Sequence, residues 1–349
     1  MKYHLEPTLT NDLGGERARL RVLQSVAPPD GTTKYIDQVV RFAPGSVRFT
    51  YFTWRAALFG RYDIFHVHWP EALIRGRHRA VRAARRVLFL LLLARLKQSR
   101  IAVVRTLHNL APHEPGSRAE SRILRRLDAM TAVAVRLNSE TPALHGADDV
   151  HIPHGHYRDA FARYPLAVPV ARRAVFFGRV QPYKGLERLI ATFGELRLPS
   201  VTLRIVGSAA PEYAEELRSL VAGDCRVSVD FRFVPDAELV SAVSEAQLAV
   251  LPYREMHNSG ALFVALSLGT PVLAPRTASN IAIQSEVGAE WLHLYDGELT
   301  SNILAAALQW SDGPRPGSSP AFDVRRDWIE VARAYADVFQ QALTRSSVV

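Results

Sequence analysis

Cysteine is nearly absent from this 349-residue chain: Cys225 stands alone, so no intrachain disulfide can form. Stability must come from burial, and a reducing, cytoplasmic setting is expected. Long apolar runs are missing as well. The unbroken stretch Val87–Ala94 is far short of the roughly 20 residues a membrane-spanning helix needs. Residues 1–11 contain no apolar block of the secretory kind. No Gly-x-Gly-x-x-Gly follows an early strand, which argues against a nicotinamide-dependent oxidoreductase. No Asp-x-Asp stands near a strand end, and the 12 histidines are scattered. His66 and His68 share one strand face, but no carboxylate motif completes a metal site there, so no metal or other cofactor is expected. Repeats, low-complexity tracts and recognised nucleic-acid motifs are also lacking, so nucleic acid is not the expected partner.

What is present is a globular composition, 48% apolar, on a chain long enough for two domains. The formal net charge is +9. Much of it falls between Arg75 and Arg100, on Arg75, Arg77, Arg79, Arg82, Arg85, Arg86, Arg95, Lys97 and Arg100, around the apolar block. Two readings stand open for this segment: a helix lying on an anionic membrane surface, or a buried helix with a solvated basic end.

Short apolar runs alternate with helical patterns. Strands are expected at Asp63–His68, Ile101–His108 and Ala132–Val135. After a pause through residues 151–169 they resume at Ala174–Gly178, Val201–Gly207, Val227–Phe233, Leu248–Leu251 and Pro271–Ala274. Helices are expected at Gly185–Leu196, Pro211–Val221, Asp236–Ala246 and Gly260–Leu268. This is βαβ patterning: an α/β fold of two Rossmann-like halves joined near residue 160, with ligand at the carboxyl ends of the strands in the cleft between them. Apolar positions from Asp327 to Leu343 recur at helical spacing and predict a terminal helix that crosses back onto the first domain.

Two segments carry chemistry. In Gly178-Arg179-Val180-Gln181-Pro182-Tyr183-Lys184-Gly185 a strand ends in a short loop with two cations and small residues, a pattern suited to a diphosphate. In Pro252-Tyr253-Arg254-Glu255-Met256-His257-Asn258-Ser259-Gly260-Ala261 a loop runs into an apolar helix. Asn258 or Ser259 is a natural N-cap, and the unsatisfied N–H groups of the first turn favour an anion. Taken singly, each also reads as an ordinary turn or capped helix.

Together, with Leu268-Gly269-Thr270-Pro271-Val272 beyond them, these segments resemble the donor half of GT-B glycosyltransferases, chiefly glycosyltransferase family 4 and its relatives. The likeness covers roughly residues 150–290. In the first half it rests on His66-Val67-His68-Trp69-Pro70-Glu71, Thr106-Leu107-His108-Asn109 and His154-Gly155, similar to bacterial enzymes of exopolysaccharide and glycolipid assembly. The resemblance implies an acceptor-binding domain at 1–157, a nucleotide-sugar domain at 158–325 and a returning helix at 326–349. It also implies that Arg179 and Lys184 contact the donor diphosphate, that Ser259, Gly260 and Ala261 offer it backbone donors, that His108 lies beside the donor sugar and that Val234 borders the base. Family-4 members usually carry two glutamates eight positions apart here. Met256 and Val264 occupy those positions, with Glu255 adjacent as a substitute, so an inverting relative of the β-mannosyltransferase kind is as open as a retaining one. The base such an enzyme needs is sought among Glu71, His108, His113 and Glu114. Glu71 could equally cap a helix or orient the acceptor. His154 and His156 line the cleft or pack the hinge. The expected activity is metal-independent sugar transfer from a nucleotide donor, GDP-mannose before UDP-sugars, to a lipid-linked or saccharide acceptor, on the inner face of the cell membrane. The alternative is a non-catalytic binder or partner subunit on the same fold.

Overall fold

A computed structural model describes residues 19–29, 34–108, 116–198, 200–254, 256–313 and 315–348. In chain order the first half comprises β1 (Leu20–Gln24), α1 (Lys34–Arg41), β2 (Val47–Tyr51), α2 (Trp54–Phe59), β3 (Ile64–Val67), α3 (Glu71–Ile74), α4 (Arg79–Gln98), β4 (Ala102–Leu107), α5 (Arg118–Met130), β5 (Thr131–Arg136), β6 (Asp148–His151) and α6 (Arg158–Phe161). The second comprises β7 (Val170–Phe177), α7 (Leu186–Gly194), β8 (Thr202–Val206), α8 (Pro211–Val221), β9 (Val227–Asp230), α9 (Asp236–Glu245), β10 (Ala246–Val250), α10 (Gly260–Ser267), β11 (Val272–Pro275), α11 (Ala278–Val287), β12 (Leu292–Tyr295), α12 (Ser301–Trp310) and α13 (Trp328–Val348).

Each half builds one six-stranded sheet, ordered β2-β1-β3-β4-β5-β6 and β12-β11-β10-β7-β8-β9, and every pairing is parallel. Strand order reverses direction between β1 and β3 in the first sheet and between β7 and β10 in the second. Loops leaving the carboxyl ends of such a pair diverge to opposite faces, and the crevice between them is where α/β sheets bind ligands.

Side-chain alternation explains how the sheets are covered. On β4, Ala102 and Val104 join the large core that spans both halves, whereas Val103 faces a smaller one with Phe65, Val67, Phe89, Leu92 and Leu96. Helix α13 packs on β4, β5 and α1, so the last helix closes the first sheet rather than the second. Helix α4 resolves the two readings of the basic segment only in part. Phe89, Leu92, Leu93 and Leu96 face the sheet, while Val87 and Leu91 of the same run stay 57% and 54% exposed among the arginines. Among the described residues no helix is long and apolar enough to cross a membrane.

Candidate active site

The loops after β7 and β10, the two strands at the second switch point, pack against each other. Gly178 (φ 97°) ends β7 and donates to the Val206 carbonyl at 3.0 Å. Gly185 adopts a left-handed φ of 69°, and a Cβ there would lie 2.3 Å from the Pro252 carbonyl oxygen. Only glycine permits both that conformation and that approach. The Arg254 N–H completes the join by donating to the Tyr183 carbonyl at 2.9 Å.

The two cations sit differently. Lys184 is only 8% exposed, with Nζ 5.0 Å from the Tyr253 ring centre and 6.0 Å from that of Phe176. Burial lowers its pKa, and the nearby Arg179 adds to the effect. Arg179 is exposed. Neither has a carboxylate partner among the described residues. A buried ammonium beside a second cation is costly unless an anion completes it.

Helix α10 starts at the same place. Ser259 is its N-cap, its Oγ accepting from the Leu262 N–H at 3.4 Å, which leaves Asn258 free for another role. A Cβ on Gly260 would stand 3.7 Å from Tyr157 Oη and 3.8 Å from His154 Nε2, so both side chains border the first turn. His154 stacks on Phe263 (5.0 Å, 7°), and its Nδ1–H donates to the Gly155 carbonyl at 2.9 Å, leaving Nε2 as an acceptor. Burial holds its pKa at about 4. Val264 and Met256 are buried in the core, and Met256 Sδ accepts from Asn280 Nδ2 at 3.3 Å. Helix α10 itself carries no carboxylate.

The first domain meets this loop edge to edge. Asn258 Nδ2 donates to the His108 carbonyl at 2.8 Å, and Asn138 Nδ2 donates to Asn258 Oδ1 at 2.6 Å. Thr141 Oγ1 lies 2.7 Å from His257 Nε2. The ends of β4 and β5 thus hold the segment that leads into α10. His108 stacks with Trp69 (4.1 Å, 20°) and lies 2.8 Å from His68. Burial, reinforced by His68 and His154, depresses its pKa well below the usual histidine range.

The other sequence candidates separate. Glu71 opens α3 directly after β3, half-buried. It does not cap that helix, because the N-cap is Pro70 and makes no side-chain bond. Its carboxylate has no hydrogen-bond partner among the described residues, and Arg105, whose pKa burial lowers against the pull of Glu71, is already held by Asp128. His156 is not beside α10: its Nε2 lies 2.7 Å from Asp327 Oδ1 and its ring stacks on Phe322, so it belongs to the joint with α13. Val234 follows β9 at the far edge of the second sheet, two strands from β7, partly buried against the core. Glu255, His113 and Glu114 lie outside the described residues. Sequence reasoning gave no role to Tyr253, Tyr157, Asn138 or Asn258 as an interdomain bond. Only Tyr253 carried a local signal, as an aromatic at a strand end beside the loop.

Residues 171–309 match the family model described as glycosyl transferases group 1. Over 327 residues, 93% of each chain, the sequence is 39% identical to the GDP-mannose:glycolipid 4-beta-D-mannosyltransferase of Xanthomonas campestris pv. campestris. The chain belongs to the group 1 glycosyltransferases. This glycosyltransferase shares its GT-B fold with HepE of Anabaena in complex with UDP and glucose (TM-score 0.64, 16% identity, 92% of this chain and 100% of that one). It shares it also with sucrose-phosphate synthase of Thermosynechococcus elongatus (TM-score 0.65, 16% identity, 93% and 98%). Two facing Rossmann-like sheets and a nucleotide-sugar transferase follow, as the motifs implied.

Proposed function

We propose that this glycosyltransferase moves mannose from GDP-mannose to a glycolipid acceptor, without a metal and with inversion at the anomeric carbon. The observation that carries the donor site is the convergence of Lys184, Arg179 and the first turn of α10 on the switch point between β7 and β10. The relative's printed activity supplies the sugar, the base and the acceptor class. In this reading the N–H groups of Gly260 and Ala261 take the diphosphate oxygens. Lys184 and Arg179 neutralise the charge that grows on the diphosphate as the C–O bond to mannose breaks. Glu71 accepts the proton of the acceptor hydroxyl as it attacks from the opposite face. His108 and His154, both neutral, form polar walls. The exposed Val87 and Leu91 among the α4 arginines face the cytoplasmic leaflet, where the lipid acceptor lies.

The test is transfer from radiolabelled GDP-mannose, UDP-glucose and UDP-galactose to a membrane lipid extract, with and without EDTA, for the parent and Glu71→Gln. GDP-mannose is expected to be used alone, EDTA to leave the rate unchanged, and Glu71→Gln to lose at least about 100-fold in kcat while still binding GDP. Faster transfer from a UDP-sugar sinks the donor assignment. Loss of rate in EDTA sinks metal independence, and a parental rate for Glu71→Gln removes it as the base.

A further inference from the structure

The ends of β1, β3 and β4 carry a chain of hydrogen bonds that positioning a diphosphate does not require. His108 Nε2 lies 2.8 Å from His68 Nδ1, and His68 Nε2 lies 3.0 Å from Gln24 Oε1. Each bond needs one proton. With the Gln24 amide turned so that Oε1 faces the ring and Nε2 is left without a partner, the oxygen only accepts, so His68 carries its proton on Nε2 and offers a lone pair at Nδ1. His108 must then donate from Nε2, which leaves its own Nδ1 as a bare acceptor. That nitrogen has no partner among the described residues.

The neighbours hold this arrangement in place. Burial and the adjacent histidines depress both rings well below the usual range, so neither takes a second proton near neutral pH. Ser25 Oγ donates to the His68 carbonyl at 2.9 Å and accepts its N–H at 2.7 Å. Trp69 stacks on His108, and Tyr35 meets it edge-on at 5.4 Å. Trp69 does so with φ at 42°, a left-handed value that a bulky residue rarely adopts. Strain of this kind persists where a site over-determines it. His66, 4.2 Å from the His68 ring, is engaged elsewhere, with Nε2 2.8 Å from Thr106 Oγ1.

We propose that Gln24 and His68 are positioning residues that set the tautomer of His108, so that its Nδ1 can only accept a hydrogen bond from a substrate hydroxyl in the cleft. The identity of that hydroxyl rests on the sugar-transfer reading above; the tautomer does not. Orienting partners behind metal-bound imidazoles matter about 10- to 100-fold, and the same order is expected here.

Nitrogen-15 histidine NMR on the full chain at neutral pH reads the tautomer directly, with His108 assigned by its loss in His108→Gln. The expected spectrum shows His108 protonated at Nε2 and bare at Nδ1. A proton on Nδ1, as the opposite orientation of the Gln24 amide would give, overturns the proposal. Gln24→Leu and His68→Leu are expected to mix the tautomers and lower kcat about 10- to 100-fold, with GDP affinity unchanged. His68→Asn, which returns an acceptor to the place of Nδ1, should recover much of the loss. Parental kcat in Gln24→Leu, with GDP binding intact, also overturns it. If the parent turns over no sugar nucleotide, the transfer reading has failed and the NMR result alone decides the relay.

Discussion

Lys184 is a cation held where a cation is costly. Its ammonium is buried under Tyr253, its pKa is lowered by that burial, and Arg179 adds repulsion. In the proposed donor site a bound diphosphate relieves both. Lys184→Met and Arg179→Ala should therefore each weaken GDP binding by about 10- to 100-fold, the worth of a charge-assisted hydrogen bond. Calorimetry decides this, and equal GDP affinity in parent and both variants removes the cations from the site. Lys184→Met should not lower the melting temperature of the unliganded protein, since it removes a desolvated charge. Gly185→Ala tests the same loop through its backbone. It meets a left-handed φ and a carbonyl oxygen at 2.3 Å together, so it should cost about 2 kcal/mol or more and weaken GDP binding by displacing Lys184. A variant that melts with the parent would mean the loops are not locked. The buried histidines give a pH signature. Burial holds His66 at about 3 and His154 at about 4, against about 6.5 unfolded. Below about pH 6.5 the unfolded chain takes up protons that the folded one refuses. Their contribution is thus complete above that pH and lost as pH falls toward 4 and then 3. Each adds a limiting slope of about 1.4 kcal/mol per pH unit. Urea midpoints should drop between pH 7.5 and pH 5, roughly the range where histidine charges, and a flat profile contradicts the neutral assignment.

At the scale of elements, Ser259 combines two jobs that can be separated. As the N-cap of α10 it satisfies an N–H, and its loss should cost about 1 kcal/mol. Thr300 caps α12 in the same way, by accepting from Ile303, far from the switch point. Ser259→Ala and Thr300→Ala should thus lower stability alike, while only Ser259→Ala raises the KM for the sugar donor. Equal effects on KM would reduce Ser259 to an ordinary cap. Elements of this kind were legible in the sequence because local chemistry makes them. The residues predicted as helix from Pro211 to Val221 form α8 with those bounds, and β10 and α10 lie within one or two residues of expectation. The first 60 residues carry no strand or helix pattern clear enough to predict. The five residues of β1 include Arg21, neutralised by Asp63, and β2 ends in Thr50 and Tyr51, so neither shows a clean apolar run. Strand β6, Asp-Asp-Val-His, is an edge strand and needs little apolar surface. The two loops that pack together at the second switch point, 178–185 and 252–260, stood out in the sequence for the same local reason. The clasp of Asn138 and Asn258, and the relay through Gln24, join residues 120 and 44 positions apart, and no local pattern records such pairs.

The whole molecule is closed by its last helix, which follows the second half and packs on the first. Trp328 opens α13, fully buried. Its Nε1 donates to the His156 carbonyl, and its ring lies 5.3 Å from Tyr35, 5.8 Å from Tyr157 and 6.3 Å from His154. Gly155 has no room for a side chain, since a Cβ there would meet this ring at 2.6 Å. Further along, Tyr335 Oη reaches Thr106 Oγ1 at 2.8 Å and Tyr35 Oη at 3.0 Å. One indole therefore touches α1, the interdomain linker and the histidine that borders the first turn of α10. Removing it should do more than open a cavity. Trp328→Ala is expected to lose about 3–5 kcal/mol, and kcat should fall because Tyr35 and His154 lose the surface that orients them. Ile329→Ala, one residue on and 54% exposed, should change stability by less than about 0.5 kcal/mol and leave turnover alone. Melting temperature and initial rate measured on both variants separate the cases. If Trp328→Ala melts low but the folded fraction turns over at the parental rate, α13 holds the first sheet together without shaping the cleft. If both measures fall, the returning helix is part of the wall against which the donor sugar is held.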